Sequence, residues 1–395
     1  MSAPFGVVYL CRTFRFCGIR LVERNMNITL LSGLIFVGVF AAVVLIHEFG
    51  HFVAARLLKV DVEEFGIGLP PRALTLFRWK GTDFTLNWLP LGGFVRPKGE
   101  NDPDVEGGLA ASSPWVRLGV LFAGPVMNLL AGVLVNSILF AQVGVPDMTR
   151  VMLYEISQNS PAEQAGLHAD DMILAIDGEQ ITGDEQFRSY IQSHLDKPMQ
   201  ITVQRGEKTL DITATPLSSR TAEEGALGIL PGPPMVQAKS FIQAIPFGAT
   251  YTYSQIRQIL SLPAMMIRGN LSPEEGRFIG LKGIYDLFGQ AVSRDVQTRE
   301  QVAAAPPEAA PIEPSNFTLQ IIASLTLTLG IFNLLPFPAL DGGRIIFVLP
   351  ELVLRRRVPA KFENLVHAVG FALLLLLMFY INAMDFINPV QFKLP

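Results

Sequence analysis

The sequence predicts a mainly α-helical multi-pass membrane protein with about four transmembrane helices, a membrane-associated β-hairpin and one inserted α+β module. Three observations predict it. Half of the 395 residues are hydrophobic and only 17% are charged, which is a membrane-protein balance. Four segments, residues 28–46, 118–145, 317–335 and 366–381, approach the ~20 apolar residues a bilayer-spanning helix needs. Between the second and third of these, residues 148–217 switch to short strand-like runs. The net charge of −4, with no basic stripe along any soluble segment, gives no footing for a nucleic-acid partner. Cys11 and Cys17 are the only cysteines, so a metal site must use His, Asp or Glu.

Taken in order, residues 1–26 form an N-terminal extension carrying Arg12, Arg15, Arg20 and Arg24, and Met26 is a second candidate start. No small-residue cleavage site follows the first apolar run, so that run is expected to remain as a membrane helix. Residues 27–147 make the first half of a membrane core. Within them, the runs 73–79 and 84–94 are separated by Lys80, Gly81, Thr82 and Asp83 and read as a hairpin with a four-residue turn. The hairpin either caps the membrane core or enters the bilayer and offers an edge to a peptide. Trp79, Trp88 and Trp115 suit interfacial anchoring.

In residues 148–217, runs at 151–156, 172–176, 200–205 and 209–214 bracket a helix-compatible stretch at 184–194. The spacing of Ser160-Pro161-Ala162-Glu163-Gln164-Ala165-Gly166-Leu167, followed by Asp170 to Gly178, resembles a bacterial PDZ domain. Such modules bind extended peptides or C-termini by adding a strand to a sheet edge. Residues 218–316 hold an apolar stretch at 241–268, interleaved with Tyr251, Tyr253, Gln255 and Arg257, which fits a helix on the membrane surface better than a fifth span. Residues 294–316 are rich in Ala, Pro and Glu and read as a flexible linker. Residues 317–395 complete the core with two more helices.

Orientation follows from Arg344, Arg355, Arg356, Arg357 and Lys361 between the third and fourth spans, set against Asp341, Glu351 and Glu363. Cytoplasmic loops carry such an excess, so this loop is expected in the cytoplasm and the 148–217 module outside it. The four arginines before Met26 oppose that arrangement.

The chemistry begins at His47-Glu48-Phe49-Gly50-His51, directly after the nineteen uncharged residues 28–46. On a helix, histidines four apart share one face and can reach a single Zn²⁺, with the glutamate between them placed to handle water. Ionisable groups at the end of a membrane helix are costly to bury unless they are paired or metal-bound. Catalytic zinc takes three protein ligands and keeps one position open, so one ligand is missing. Ala54 and Leu57 occupy the positions where an extended soluble-zincin motif needs glycine and histidine. Glu63 and Glu64 are near in sequence but follow the helix. The better candidate is Asp341, in Asn333-Leu334-Leu335-Pro336-Phe337-Pro338-Ala339-Leu340-Asp341-Gly342-Gly343, at the same expected membrane side as His51. Alone, Asp-Gly-Gly is an ordinary turn. His168, His194 and His367 have no second ligand at useful spacing.

HEFGH ending a first membrane helix, a PDZ-like module between the second and third spans, and NLLPFPALDGG after the third together resemble the site-2 protease family of intramembrane zinc metalloproteases. The likeness is to its bacterial PDZ-containing members, which cleave anti-sigma factors and remnant signal peptides. The resemblance implies that His47, His51 and Asp341 bind one Zn²⁺ and that Glu48 is the catalytic base. Gly124-Pro125-Val126-Met127-Asn128 looks like the family's GPxxN segment, and Asn333 matches an asparagine that holds substrate. Asn128 and Asn333 are therefore candidate substrate-binding residues. The resemblance further implies single-span membrane protein substrates, a peptide or protein partner for the PDZ-like module, and a bacterial inner membrane with the active site towards the cytoplasm. The competing class is a non-catalytic membrane adaptor with a vestigial metal site, against which the intact motifs speak.

Overall fold

A computed structural model describes residues 14–219, 225–269, 277–304 and 316–389. The described chain forms two compact units, one of residues up to Leu139 together with Gly248 onward, the other of Phe140–Phe247.

The first unit opens with helix α1, Phe14–Leu57, whose apolar part continues without a break into the HEFGH. Strands β1, Val62–Trp79, and β2, Thr82–Pro97, follow. The turn between them is shorter than expected: Lys80 and Gly81 both take positive φ, the geometry of a two-residue hairpin turn, and Thr82 and Asp83 join the strand. The Thr82 hydroxyl donates to the Val62 carbonyl at 2.7 Å, which ties the strand start into the sheet. Nor is the result a simple hairpin. Residues 64–67 pair on one side with 93–96 and on the other with 83–86, while 72–79 pair with 82–87. The two strands thus fold into four ribbons in the order 93–97, 62–67, 82–87, 72–79. Thr82, Thr85 and Asn87 are buried because they lie in an inner ribbon, and Glu64 is buried beside them, held by Thr85, Arg72 and Arg96.

Helix α2, Pro114–Val143, crosses next. In the second unit come β3, Val145–Pro146, β4, Val151–Ile156, the short α3, Pro161–Ala165, β5, Met172–Ile176, β6, Glu179–Gln180, α4, Asp184–Ser193, β7, Met199–Arg205, β8, Lys208–Ala214, β9, Ile229–Gly232, and β10, Met235–Val236. The main sheet runs β8-β7-β5-β4-β9, with β6 on β5. It therefore takes in Ile229–Gly232, beyond the 148–217 range read from sequence. Ser160 caps α3 by accepting from Glu163 N–H at 3.1 Å, and Gly166 ends it in the left-handed conformation. Leu153, Ile173, Ile176, Phe187, Met199 and Ile201 form its core.

Helices α5, Phe241–Ile267, and α6, Leu281–Ala304, precede α7, Phe317–Leu334, α8, Asp341–Leu354, and α9, Ala360–Ile387. Two expectations are corrected here. Residues 294–304 continue α6 instead of starting a linker; residues 305–315 lie outside the described residues. The segment after the third span is not a plain loop but contains α8. Among the described residues, four helices are long and apolar enough to cross a membrane: Leu30–Leu57, Pro114–Val143, Phe317–Leu334 and Ala360–Ile387. Helix α5 is not among them.

Carboxylates and amides clasp these helices to one another. Buried Asp385 of α9 accepts from Gly280 N–H at 2.8 Å and Gly283 N–H at 3.1 Å at the start of α6. Asp295 of α6 in turn accepts from Phe317 and Thr318 N–H at 3.0 Å, capping α7. Both use the unpaired donors and positive end of a helix N-terminus. Asn136 of α2 donates to Thr252 and Gln255 of α5 at 2.8 Å.

Candidate metal centre

His47 and His51 lie one turn apart on α1, as their spacing requires, and Asp341 is the first residue of α8. Their donor atoms converge across 294 residues of sequence. His47 Nε2 stands 3.0 Å from Asp341 Oδ2, His51 Nε2 stands 3.3 Å from the same oxygen, and the two Nε2 atoms are 3.2 Å apart. A tetrahedral zinc centre with bonds of about 2.0–2.1 Å has donor–donor edges of about 3.3–3.4 Å, so this triangle fits the ion with little movement. The described residues hold no other cluster of three such donors.

The outer contacts suit the same role. His51 Nδ1 donates to the Val120 carbonyl at 2.8 Å, which fixes the tautomer that leaves Nε2 free as a ligand. Close approach of α1 to α2 makes that contact possible, and two glycines permit it. A Cβ on Gly50 would strike the Ala123 carbonyl, and one on Gly124 would strike the His51 ring. The glycines of HEFGH and GPVMN are thus two halves of one helix contact.

Glu48, between the histidines, points its carboxylate at the sheet and accepts from Val95 N–H at 2.9 Å. Val95 belongs to ribbon 93–97, one of the two outer ribbons in the sheet order. Beside the metal donors the protein therefore places a carboxylate and an extended backbone. Asp341 is held by a stiff turn: Ala339 takes φ of 78°, and its N–H donates to His367 Nδ1 at 2.9 Å.

Of the two asparagines, Asn128 is fully buried with its Nδ2 3.5 Å from His47 Nδ1, while its Oδ1 has no partner among the described residues. Half a turn of the amide would let Oδ1 accept from His47 Nδ1–H. Asn333 sits on the last turn of α7, half-buried, with no hydrogen-bond partner among the described residues. Glu64, considered as a ligand from sequence, is instead spent inside the sheet, 2.8 Å from Arg72. The role of His367 depends on Ala339, 28 residues away, and no local motif signals it.

The profile of Peptidase family M50 matches residues 35–377. A Clostridium perfringens protein with a provisional zinc-metalloprotease name is 32% identical over 89% of this chain and 97% of its own length. Metalloprotease MmpA of Caulobacter vibrioides is 29% identical over 88% of this chain and 92% of its own. The regulator of sigma-W protease RasP of Bacillus subtilis is 26% identical over 89% and 97%. With the family profile covering most of the chain and a His-His-Asp group that could hold a metal, the chain belongs to peptidase family M50, the site-2 proteases.

Proposed function

We propose that this zinc metalloendopeptidase hydrolyses peptide bonds in or near the transmembrane segments of single-span membrane proteins, such as anti-sigma factors or remnant signal peptides. The observation that carries the reading is the convergence of His47, His51 and Asp341 from helices α1 and α8, with Glu48 and ribbon 93–97 at its side. His47, His51 and Asp341 are the ligands and Glu48 the general base. Bound zinc supplies a Lewis acid that activates water and polarises a carbonyl. Glu48, steadied by Val95 N–H, takes the proton of the attacking water and passes it to the leaving amine. Asn128 orients His47 through Nδ1, in place of the substrate contact expected from sequence. Asn333, without a hydrogen-bond partner among the described residues, is the side chain left to meet the substrate.

A substrate helix must unwind before its carbonyl is accessible, because its own hydrogen bonds shield it. Ribbon 93–97 offers an edge on which the unwound strand can pair beside Glu48. Val95→Pro removes the N–H that steadies Glu48 and should slow cleavage at unchanged zinc content; an unaltered rate contradicts that positioning of the base.

The arginines after α8 favour a cytoplasmic position for that loop, hence an active site towards the cytoplasm of a bacterial inner membrane. The sheet of Phe140–Phe247 then lies outside as a PDZ-like module that admits trimmed substrates or senses a peptide. The deciding experiment is Glu48→Gln in purified protein. General-base loss should reduce cleavage of a single-span substrate by about 10²–10⁴-fold while zinc is retained. Persisting cleavage contradicts the mechanism.

A further inference from the structure

Helix α8 is amphipathic but, among the described residues, has no protein partner on one face. Gly342, Gly343, Ile345 and Val348 are buried, and Ile345 and Val348 meet Leu118 and Leu121 of α2. On another face, Ile346, Leu349 and Val353 form an exposed apolar stripe at helical spacing, and Val353 is 78% exposed. With 14 residues, α8 is about 21 Å long, too short to span a bilayer core of about 30 Å.

Its course is fixed at both ends. Asp341 starts it at the metal donors, and Glu351 near its end pairs with Arg117, close to the start of α2, at 2.8 Å. The helix therefore runs from the buried site to the membrane end of α2. There it delivers Arg355, Arg356 and Arg357. Arg357 is used internally, donating to the Ala110 carbonyl at 2.7 Å. Arg355 and Arg356 are exposed and, among the described residues, have no acidic partner; Lys361 and Phe362 follow, also exposed. An apolar stripe ending in unpaired guanidinium groups is complementary to acyl chains beneath phosphate.

We propose that Arg355 and Arg356, with Lys361, bind the phosphate of an anionic phospholipid, and that the lipid thereby seats α8 and the ligand Asp341 at its other end. The proposal rests on the membrane setting above and goes beyond it by naming a lipid class and a site. Arginine presents two parallel donors to one phosphate, so anionic headgroups should be preferred to zwitterionic ones, whose own cation competes. The cluster is contributed by one short segment, so neutralising it removes the site and leaves the helix packing alone.

The test measures lipid retention and zinc content on the full chain, neither of which requires cleavage, so failure of the protease reading would leave its result standing. Wild type and the double variant R355Q/R356Q are held in phosphatidylcholine nanodiscs with or without phosphatidylglycerol, and bound lipid is counted by native mass spectrometry. Wild type should retain phosphatidylglycerol in preference to phosphatidylcholine, and the variant should retain it on the order of tenfold or more weakly. Wild type should also hold zinc more tightly in the phosphatidylglycerol discs, a difference the variant should lose. Equal retention of the two lipids by wild type, or equal phosphatidylglycerol retention by wild type and variant, would overturn the lipid site. Zinc binding indifferent to lipid in wild type would overturn the link to Asp341.

Discussion

In the unit of Phe140–Phe247, Leu153, Ile176, Phe187 and Ile201 are hidden from solvent on every side. In the membrane half, α9 turns Leu373, Leu375, Leu376, Leu377 and Phe379 outwards, and buries Gly370 and Asp385. The inversion shows that two solvents shape one chain. Where water surrounds the fold, removing apolar area from it drives packing. Where lipid does, apolar side chains gain little by turning inwards, and specificity comes from polar clasps and small residues: Asn136 on α5, Asp385 on α6, Gly50 against Ala123.

The comparison can be broken by truncation. Phe187→Ala empties a fully buried site and should destabilise its unit by about 3–5 kcal/mol, read as the thermal unfolding of that unit in the full protein. A loss below that of an ordinary surface change would mean the sheet is not held by its core.

A smaller effect is expected from the ion pair of Asp171, which is fully buried and bound by Arg205 Nε and Nη2 at 2.7 Å. Burial works against this carboxylate, but the Arg205 bonds and His168 N–H outweigh it, so its pKa lies below the ordinary value. A depressed pKa means the folded state binds the proton more weakly than the unfolded one. The contribution is thus complete above the unfolded pKa of about 3.9 and fades as pH falls through the folded value. Asp171→Asn should cost about 3 kcal/mol at neutral pH and flatten the acid limb of the unfolding curve, whereas an unchanged limb would assign acid sensitivity to other groups.

The smallest change should come from Leu376→Ala in α9, where the side chain is 67% exposed to the expected lipid. Stability measured in a bilayer should move by less than about 0.5 kcal/mol. A loss like that of Phe187→Ala would place Leu376 in a protein interface.

Much of this division was legible in the sequence. Continuous apolar runs marked the four span-length helices, and period-two runs marked the strands of the second unit. The motif at 47–51 announced two donors, because helical spacing alone brings them together. Other features depended on distant partners. Thr82 and Asp83 look like turn residues, yet they pair with Trp79 and Arg78 across the hairpin, and Asp83 pairs with Glu64 as well. Helix α8 has Gly342-Gly343 in its first turn and contains Pro350, which read as loop signals, yet packing on Leu118 and Leu121 sustains it. Residues 294–304 are Ala- and Glu-containing, a composition shared by linkers and helices, and Asp295 commits them by capping α7. His367 acquired its role from the left-handed turn at Ala339.

The account turns on His47, His51 and Asp341 forming one centre, and X-ray absorption at the zinc edge tests that most directly. Wild type should show one zinc per chain with two imidazole nitrogens and oxygen in its remaining positions at about 2.0–2.2 Å, and Asp341→Ala should lose most of the metal. Full zinc occupancy with an unchanged spectrum in Asp341→Ala would contradict the assignment.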